Sequence, residues 1–430
     1  MLIRKRLARP WFFQTDFAKH VAVLSTGVLL AQMASFLLTP VVSRLYLPGT
    51  YGLLALFMSL VSPLGNVSAF KYDHAILIAE DRETADQLLS VSVIAIGVLC
   101  VVSACVLLLL RVLNDAFLPS LGLWIFALPV FVLTSGLIRV LSSRCTRDKR
   151  FKAVSSSNAF GGLATPLLRI AYAVLASASL AGLLLGQLIT NLGKILILNR
   201  GKREKRSRQQ TVATLWGVAK RYGDFPLLSV PNGLLFSVGS QAPVLMLAVF
   251  FESSAVGLFA MASRLMRLPV DLLSQPIRLV FTQTAAERLH RGEPLFPFVG
   301  LLAGIMAAAM IIPFMVVEVY GETLFSVVLG ERWRAAGTIA KIICPWIMMM
   351  FIITPLSAIY TVFRIQGIWL RFQLALNLCL LAYFLWAFLH PVPMPVLLGT
   401  LTGINVLVYL FILGHILYLT KRHDSKRIRI

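Results

Sequence analysis

The chain has 430 residues, 58% of them hydrophobic and only 13% charged, with a net charge of +22 from 40 Lys and Arg against 18 Asp and Glu. A soluble protein carries roughly 25% charged residues, so about half the usual charge is left here to solvate a surface. That composition excludes a soluble enzyme, a disordered tail, a collagen and a disulfide scaffold.

A bilayer core about 30 Å thick needs roughly 20 apolar residues per helix. By that measure six spans are predicted in the first half, at 20–40, 50–70, 88–110, 121–141, 153–175 and 178–198. Six more follow at 225–250, 257–281, 296–317, 337–363, 368–389 and 395–419. The fifth and eighth carry charge: Arg169 in one, and Arg264, Arg267 and Asp271 in the other. Arg4-Lys5-Arg6 precede a first span too long for a signal-peptide core and lacking an A-x-A site, so it is read as an uncleaved helix.

Orientation follows from the bias of Lys and Arg toward cytoplasmic loops. With the N-terminus inside, the cytoplasmic segments collect 29 of the 40 cations, and the outside loops hold only Arg44, Arg111, Arg332 and Arg334. The reading is therefore an all-α integral membrane protein of twelve spans with both termini cytoplasmic. The bulk positive charge marks topology, with anionic lipid as a secondary partner of the middle loop. A nucleic-acid partner would require one basic face with aromatic platforms, and these cations are dispersed over seven segments.

Eight cations within 199–222 separate six spans from six, dividing the chain into lobes at 1–205 and 206–430. An internal echo accompanies the division. Tyr51-Gly52-Leu53-Leu54-Ala55 with Pro63 is matched by Val256-Gly257-Leu258-Phe259-Ala260 with Pro269, and Gln32 and Gln241 sit in the helices just before. Six is even, so the halves read as parallel repeats about an axis along the membrane normal.

The predicted outside loops are short, the longest being 318–336, and no extramembrane domain is left to house an active site. There is no G-x-x-x-x-G-K-[ST] loop to bind a nucleotide. The five cysteines (100, 105, 145, 344 and 379) make no CxxC pair and no Cys/His cluster, which points to packing and to no metal or other cofactor. Transport without a nucleotide engine is the remaining class, and catalytic residues are not expected.

Ionisable groups within spans are costly and usually face the bundle interior. Arg264, Arg267 and Asp271, spaced i, i+3, i+7, are predicted to share one helical face that Gln275 and Arg278 continue. An Arg–Asp pairing there is the structural alternative to ligand binding. Arg139, Lys194, Arg278 and Lys341 lie close enough to span ends to snorkel, which makes them secondary candidates. Arg169, Arg264 and Arg267 are the primary candidates for an anionic ligand, because guanidinium donates paired hydrogen bonds to phosphate and pyrophosphate. Asp271 is the candidate for proton or ion coupling. Small and helix-softening residues recur, as in Ser155-Ser156-Ser157-Asn158-Ala159-Phe160-Gly161-Gly162 with Thr165-Pro166. They favour close helix contact and bending.

Several stretches resemble a known family. Leu24-Ser25-Thr26-Gly27 with Ala31-Gln32, Pro40-Val41-Val42-Ser43-Arg44-Leu45-Tyr46-Leu47-Pro48, and Lys71-Tyr72-Asp73-His74-Ala75-Ile76-Leu77-Ile78 resemble the opening of Wzx-like O-antigen and exopolysaccharide flippases. These belong to the multidrug/oligosaccharidyl-lipid/polysaccharide (MOP) superfamily. Val256-Gly257-Leu258-Phe259 and Ser263-Arg264-Leu265 with Pro269 agree in the second half. The chain departs from the pattern at Lys71, where Arg is usual, and at Ala79-Glu80, where a Leu-Pro turn is usual.

The resemblance implies a MATE-like fold of two six-helix lobes in the bacterial inner membrane. It implies movement of undecaprenyl-pyrophosphate-linked oligosaccharide to the periplasmic leaflet by alternating access, for lipopolysaccharide or exopolysaccharide assembly. Partners would be the lipid-linked glycan, membrane lipids and other polysaccharide-assembly proteins, with Arg264 on a family-like position. The alternatives are a multidrug exporter of the same fold, which calls for an acidic cavity, and a glycan polymerase or ligase, which calls for a large periplasmic loop.

Overall fold

The computed structural model describes residues 15–113, 119–200 and 211–427. Arg4-Lys5-Arg6, the basic run 202–208 and the 205/206 lobe boundary lie outside the described residues. Every described element is helical. Hydrocarbon offers no partner to a bare N–H or C=O, so a spanning segment must close its own backbone bonds, which a helix does.

The first half contains α1 (Thr15–Leu45), α2 (Pro48–Val67), α3 (Tyr72–Ile78), α4 (Arg82–Leu113), α5 (Leu128–Arg147), α6 (Phe151–Leu175), α7 (Leu180–Asn199) and α8 (Val212–Arg221). The second half contains α9 (Val230–Phe250), α10 (Ser253–Met266), α11 (Leu268–Arg291), α12 (Phe296–Leu329), α13 (Arg334–Leu356), α14 (Ile359–Val362), α15 (Gln366–Leu389) and α16 (Met394–Arg427). Among the described residues, ten helical stretches are long and apolar enough to cross a membrane. The two predicted spans outside that set are the charged ones, now α6 and the pair α10–α11.

Three stretches depart from the predicted spans. The span predicted at 257–281 is two helices meeting at Arg267, because Pro269 has no N–H for the Leu265 carbonyl. The span predicted at 121–141 begins as a 3-10 segment, Pro119–Ala127, in which Gly122 takes φ 53°. The span predicted to stop at 317 runs on through Glu318 and Glu322 to Leu329. At 34 residues α12 is about 51 Å long, well beyond a hydrocarbon core of about 30 Å.

The chain forms two compact units, one of residues 1–42 and 64–231, the other of residues 43–63 and 232–430. In the first, α7 packs against α5 and α6, and α4 against α3, α5 and α8. The loop after α2 turns through Phe70 and Lys71, both at positive φ, before α3 begins. Ala75, Ile76, Ala85, Leu88 and Val140 form an apolar knot there, joined by Leu215, Val218 and Tyr222 at α8. The Tyr72 hydroxyl donates to the Ala219 carbonyl at 3.1 Å, and Arg221 pairs with Glu80 at 2.9 Å.

In the second unit α13 is the central helix, touching α10, α11, α12 and α16. Trp333, fully buried just before it, donates its indole N–H to the Ser43 carbonyl at 2.8 Å. The Ser43 hydroxyl donates to the Leu329 carbonyl at 3.0 Å. The residues that end α1 are thus tied to the α12–α13 turn by two buried hydrogen bonds.

The two echoed glycines meet each other. A Cβ on Gly52 would collide with the Ser253 carbonyl, and a Cβ on Gly257 with the Pro48 carbonyl. Ser253 is four residues before Gly257, and Pro48 is four before Gly52. The contact is therefore reciprocal, as at a two-fold axis between equal partners. Gly52→Ala and Gly257→Ala should each cost about 1–3 kcal/mol or more through overpacking, read as a lower unfolding midpoint in detergent. Gly97→Ala, where no atom lies within 4 Å, should stay within about 0.5 kcal/mol. Equal midpoints for all three variants would refute the reciprocal crossing.

Candidate functional site

The first unit contains a cavity of about 320 Å³ between α1, α6 and α7. Its walls follow from small residues. A Cβ on Gly162 would strike the Ala31 backbone, and one on Gly27 the Ser155 backbone, so α1 and α6 approach main chain to main chain. Gly161 leaves space that the Lys194 stem fills, its Cδ lying 3.2 Å from where a Cβ would be. Gln32 and Ser35 line the cavity from α1, Asn158 and Thr165 from α6, and Gln187, Thr190 and Lys194 from α7. One cation and no carboxylate are among the lining residues.

Arg169 lies behind this cavity rather than on its wall. It is buried, 7% exposed, with its stem in the space that Gly186 leaves open. Its Nε donates to the Leu183 carbonyl at 3.3 Å, and its Nη2 to Gln187 Oε1 at 3.4 Å. Gln187 Nε2 donates to Asn191 Oδ1 at 3.1 Å, and Asn191 Nδ2 to Thr134 Oγ1 at 3.1 Å. These bonds form a chain running across α6, α7 and α5. An amide in the middle of an apolar span was the available signal for Gln187.

Arg139 lies on α5 and its charge bears on Lys71. Lys71 is buried, donates to Asn66 Oδ1 at 2.9 Å, and has its ammonium pushed below the usual lysine range, first by burial and then by Arg139. Asp73, also buried, stands two residues away.

In the second unit Arg264 is on an exposed face in the last turn of α10, and Arg267 is half-buried at the α10–α11 junction. Asp271 is exposed in the first turn of α11, its N–H bonded to the Arg267 carbonyl at 2.9 Å. The single helical face predicted for all three therefore divides at Arg267: Arg267 and Asp271 remain one turn apart, while Arg264 belongs to the preceding helix. Arg278 is half-buried further along α11. Lys341 on α13 faces Glu322 on α12, Nζ to Oε1 3.7 Å. Glu322 also accepts from Thr338 at 3.2 Å. The sequence reading placed Glu322 in an outside loop, so this pairing was hidden by the early end assigned to α12.

Among the described residues no group of three or more His, Cys, Asp or Glu could hold a metal ion. The Cys145 and Cys344 side chains are buried in packing.

No curated protein matches the chain. Its fold is shared with solved transporter structures at low identity. One is a multidrug resistance MATE family transporter of the MOP superfamily in an inward-facing conformation, 13% identical, covering 94% of this chain and 98% of that one, TM-score 0.66. Another is the lipid II flippase MurJ, 10% identical, covering 95% and 89%, TM-score 0.70. A third is the Vibrio cholerae MATE transporter VcmN, 15% identical, covering 96% and 97%, TM-score 0.56. Residues 41–338 match the family model described as polysaccharide biosynthesis protein, and the chain, a multi-pass helical membrane protein, belongs to that family.

Proposed function

We propose that the protein is a flippase for a lipid-linked oligosaccharide, carrying an undecaprenyl-pyrophosphate glycan from the cytoplasmic to the periplasmic leaflet by alternating access. The observation that carries the reading is the chemistry of the intramembrane polar groups. The cavity in the first unit has Lys194 and no carboxylate, whereas an exporter of cationic drugs calls for acids. Family membership supports a role in surface polysaccharide assembly, with O-antigen or exopolysaccharide as product. The likeness to a lipid II flippase supports a lipid-linked cargo.

The proposed topology has twelve crossings with both ends in the cytoplasm of a bacterium, in the inner membrane, and a boundary in sequence between lobes at 205/206. Counting α6 and the broken pair α10–α11 as crossings supplies the two spans beyond the ten apolar ones. Lys and Arg concentrated in alternate segments support that orientation.

Within the second unit the proposed pyrophosphate contacts are Arg264 and Arg267; within the first, taken by itself, Lys194 on the cavity wall is a proposed phosphate contact and Arg169 adds positive potential behind it. Asp271, beside the Arg267 charge, is the proposed coupling acid. Arg139, Arg278 and Lys341 are secondary contacts, and Lys341 would first have to release Glu322.

Losing one charge-assisted hydrogen bond corresponds to roughly 10- to 100-fold in affinity. Arg264→Ala or Arg267→Ala, at normal expression, should lower lipid-linked glycan flipping in vesicles by that order, with Lys at either position retaining part. Full surface glycan in both alanine variants would remove the cationic-site reading. Independently, Asp271→Asn should abolish the dependence of flipping on an imposed pH gradient, and an unaltered dependence would exclude Asp271 as the coupling group. Drug-cation export without glycan flipping would support the multidrug alternative instead.

A further inference from the structure

The cavity between α1, α6 and α7 is built for hydroxyl groups as well as for charge. Its volume of about 320 Å³ falls at the small end of ligand pockets, roughly 300–1,000 Å³. Three carboxamides line it, Gln32, Asn158 and Gln187, each able to donate and accept. The Thr165 and Thr190 hydroxyls use their hydrogens on the Gly161 and Gly186 carbonyls, at 2.8 and 2.7 Å. Their remaining lone pairs make them acceptors. A set of mixed donors and acceptors with one ammonium at its edge suits a ligand that is mostly hydroxyl with an anionic group attached.

The orientation of Gln187 is fixed by its neighbours. Arg169 can only donate, so the oxygen of Gln187 must face it and the nitrogen must face away. That nitrogen donates to Asn191 Oδ1, whose own nitrogen donates to Thr134 Oγ1, and Thr134 donates to the Phe131 carbonyl at 3.2 Å. Each bond in the series points the same way, from the buried guanidinium outward to a main-chain oxygen. Gln187 is left with one N–H and one lone pair to offer.

We propose that this cavity binds a single sugar unit of the cargo by its hydroxyl groups, with the adjoining phosphate at Lys194, and that Arg169 is a positioning residue that holds Gln187 in the donor–acceptor orientation the sugar needs. The proposal rests on the transport reading above and adds the glycan subsite to it. It gives the N-terminal unit the discrimination between a glycosylated lipid and the same lipid bare.

The test uses the full chain in lipid nanodiscs and measures affinity for a polyprenyl pyrophosphate, either bare or bearing one glucose, galactose or N-acetylglucosamine. The wild type should bind at least one glycosylated probe more tightly than the bare lipid. Gln187→Leu and Asn158→Ala should each cut that preference roughly three- to tenfold, the worth of one neutral hydrogen bond, with bare-lipid affinity unchanged. Arg169→Ala should cut the preference by the same factor beyond any loss of affinity shared with the bare lipid, and Arg169→Lys should restore part, while Lys194→Gln should weaken every probe. If Gln187→Leu fails to fold, Asn158→Ala, outside the series of bonds, still decides the sugar contact. A wild type that binds bare and glycosylated lipid equally, or a preference untouched in Asn158→Ala and Gln187→Leu, overturns the sugar site and leaves the flippase reading standing. Equal loss of both affinities in Arg169→Ala makes Arg169 an anion contact and overturns its positioning role. Failure of the wild type to bind any probe removes the transport reading and this subsite with it.

Discussion

Hydrocarbon solvates neither a peptide group nor a charge, and this constraint governs the molecule at two scales. For the main chain it enforces helices, so irregular backbone needs a local cause wherever it occurs in or beside a span. Pro269 supplies one at Arg267, and the left-handed Phe70 and Lys71 turn the chain immediately after α2 rather than within it. For side chains the same constraint requires that a buried cation find oxygen. Arg169 finds the Leu183 carbonyl and the Gln187 amide, and the half-buried Lys341 finds Glu322.

Neutral partners and charged partners do different things to a buried cation. A carboxylate cancels the field, and the pair then offers little to an incoming anion. Amide and carbonyl oxygens satisfy hydrogen bonds while leaving the net charge in place, so the positive potential persists around the site. The Arg169 bonds to the Leu183 carbonyl and the Gln187 amide are of the neutral kind, and the Lys341 contact with Glu322 is of the charged kind.

The span pattern was legible because apolar length is written directly in the sequence. The two spans that strained that rule, around Arg169 and around Arg264 to Asp271, became a wall helix of the cavity and the broken pair. What the sequence hid was of two sorts. Helix ends depend on what lies beyond the hydrocarbon, so α12 could continue past Glu318 with no apolar signal. The cavity itself depends on which faces of α1, α6 and α7 meet, and no one-dimensional pattern states that. The Gly-rich run near 161 was visible, but its use as floor space for the Lys194 stem was not. Gln187 was overlooked because a single amide in a leucine-rich span draws no attention until its neighbours are known.

The reciprocal approach of Gly52 and Gly257 constrains how this chain can vary over time. The obstacles facing each missing Cβ are main-chain carbonyls of Pro48 and Ser253, which every amino acid possesses. No second substitution on the opposite helix can remove them, so a suppressor screen seeded at either glycine has nowhere adjacent to land. The two halves are free to drift apart in loops, cargo-facing polar groups and lipid-facing surface. At this one crossing, the approach of α2 and α10 stays locked by backbone that mutation cannot reach.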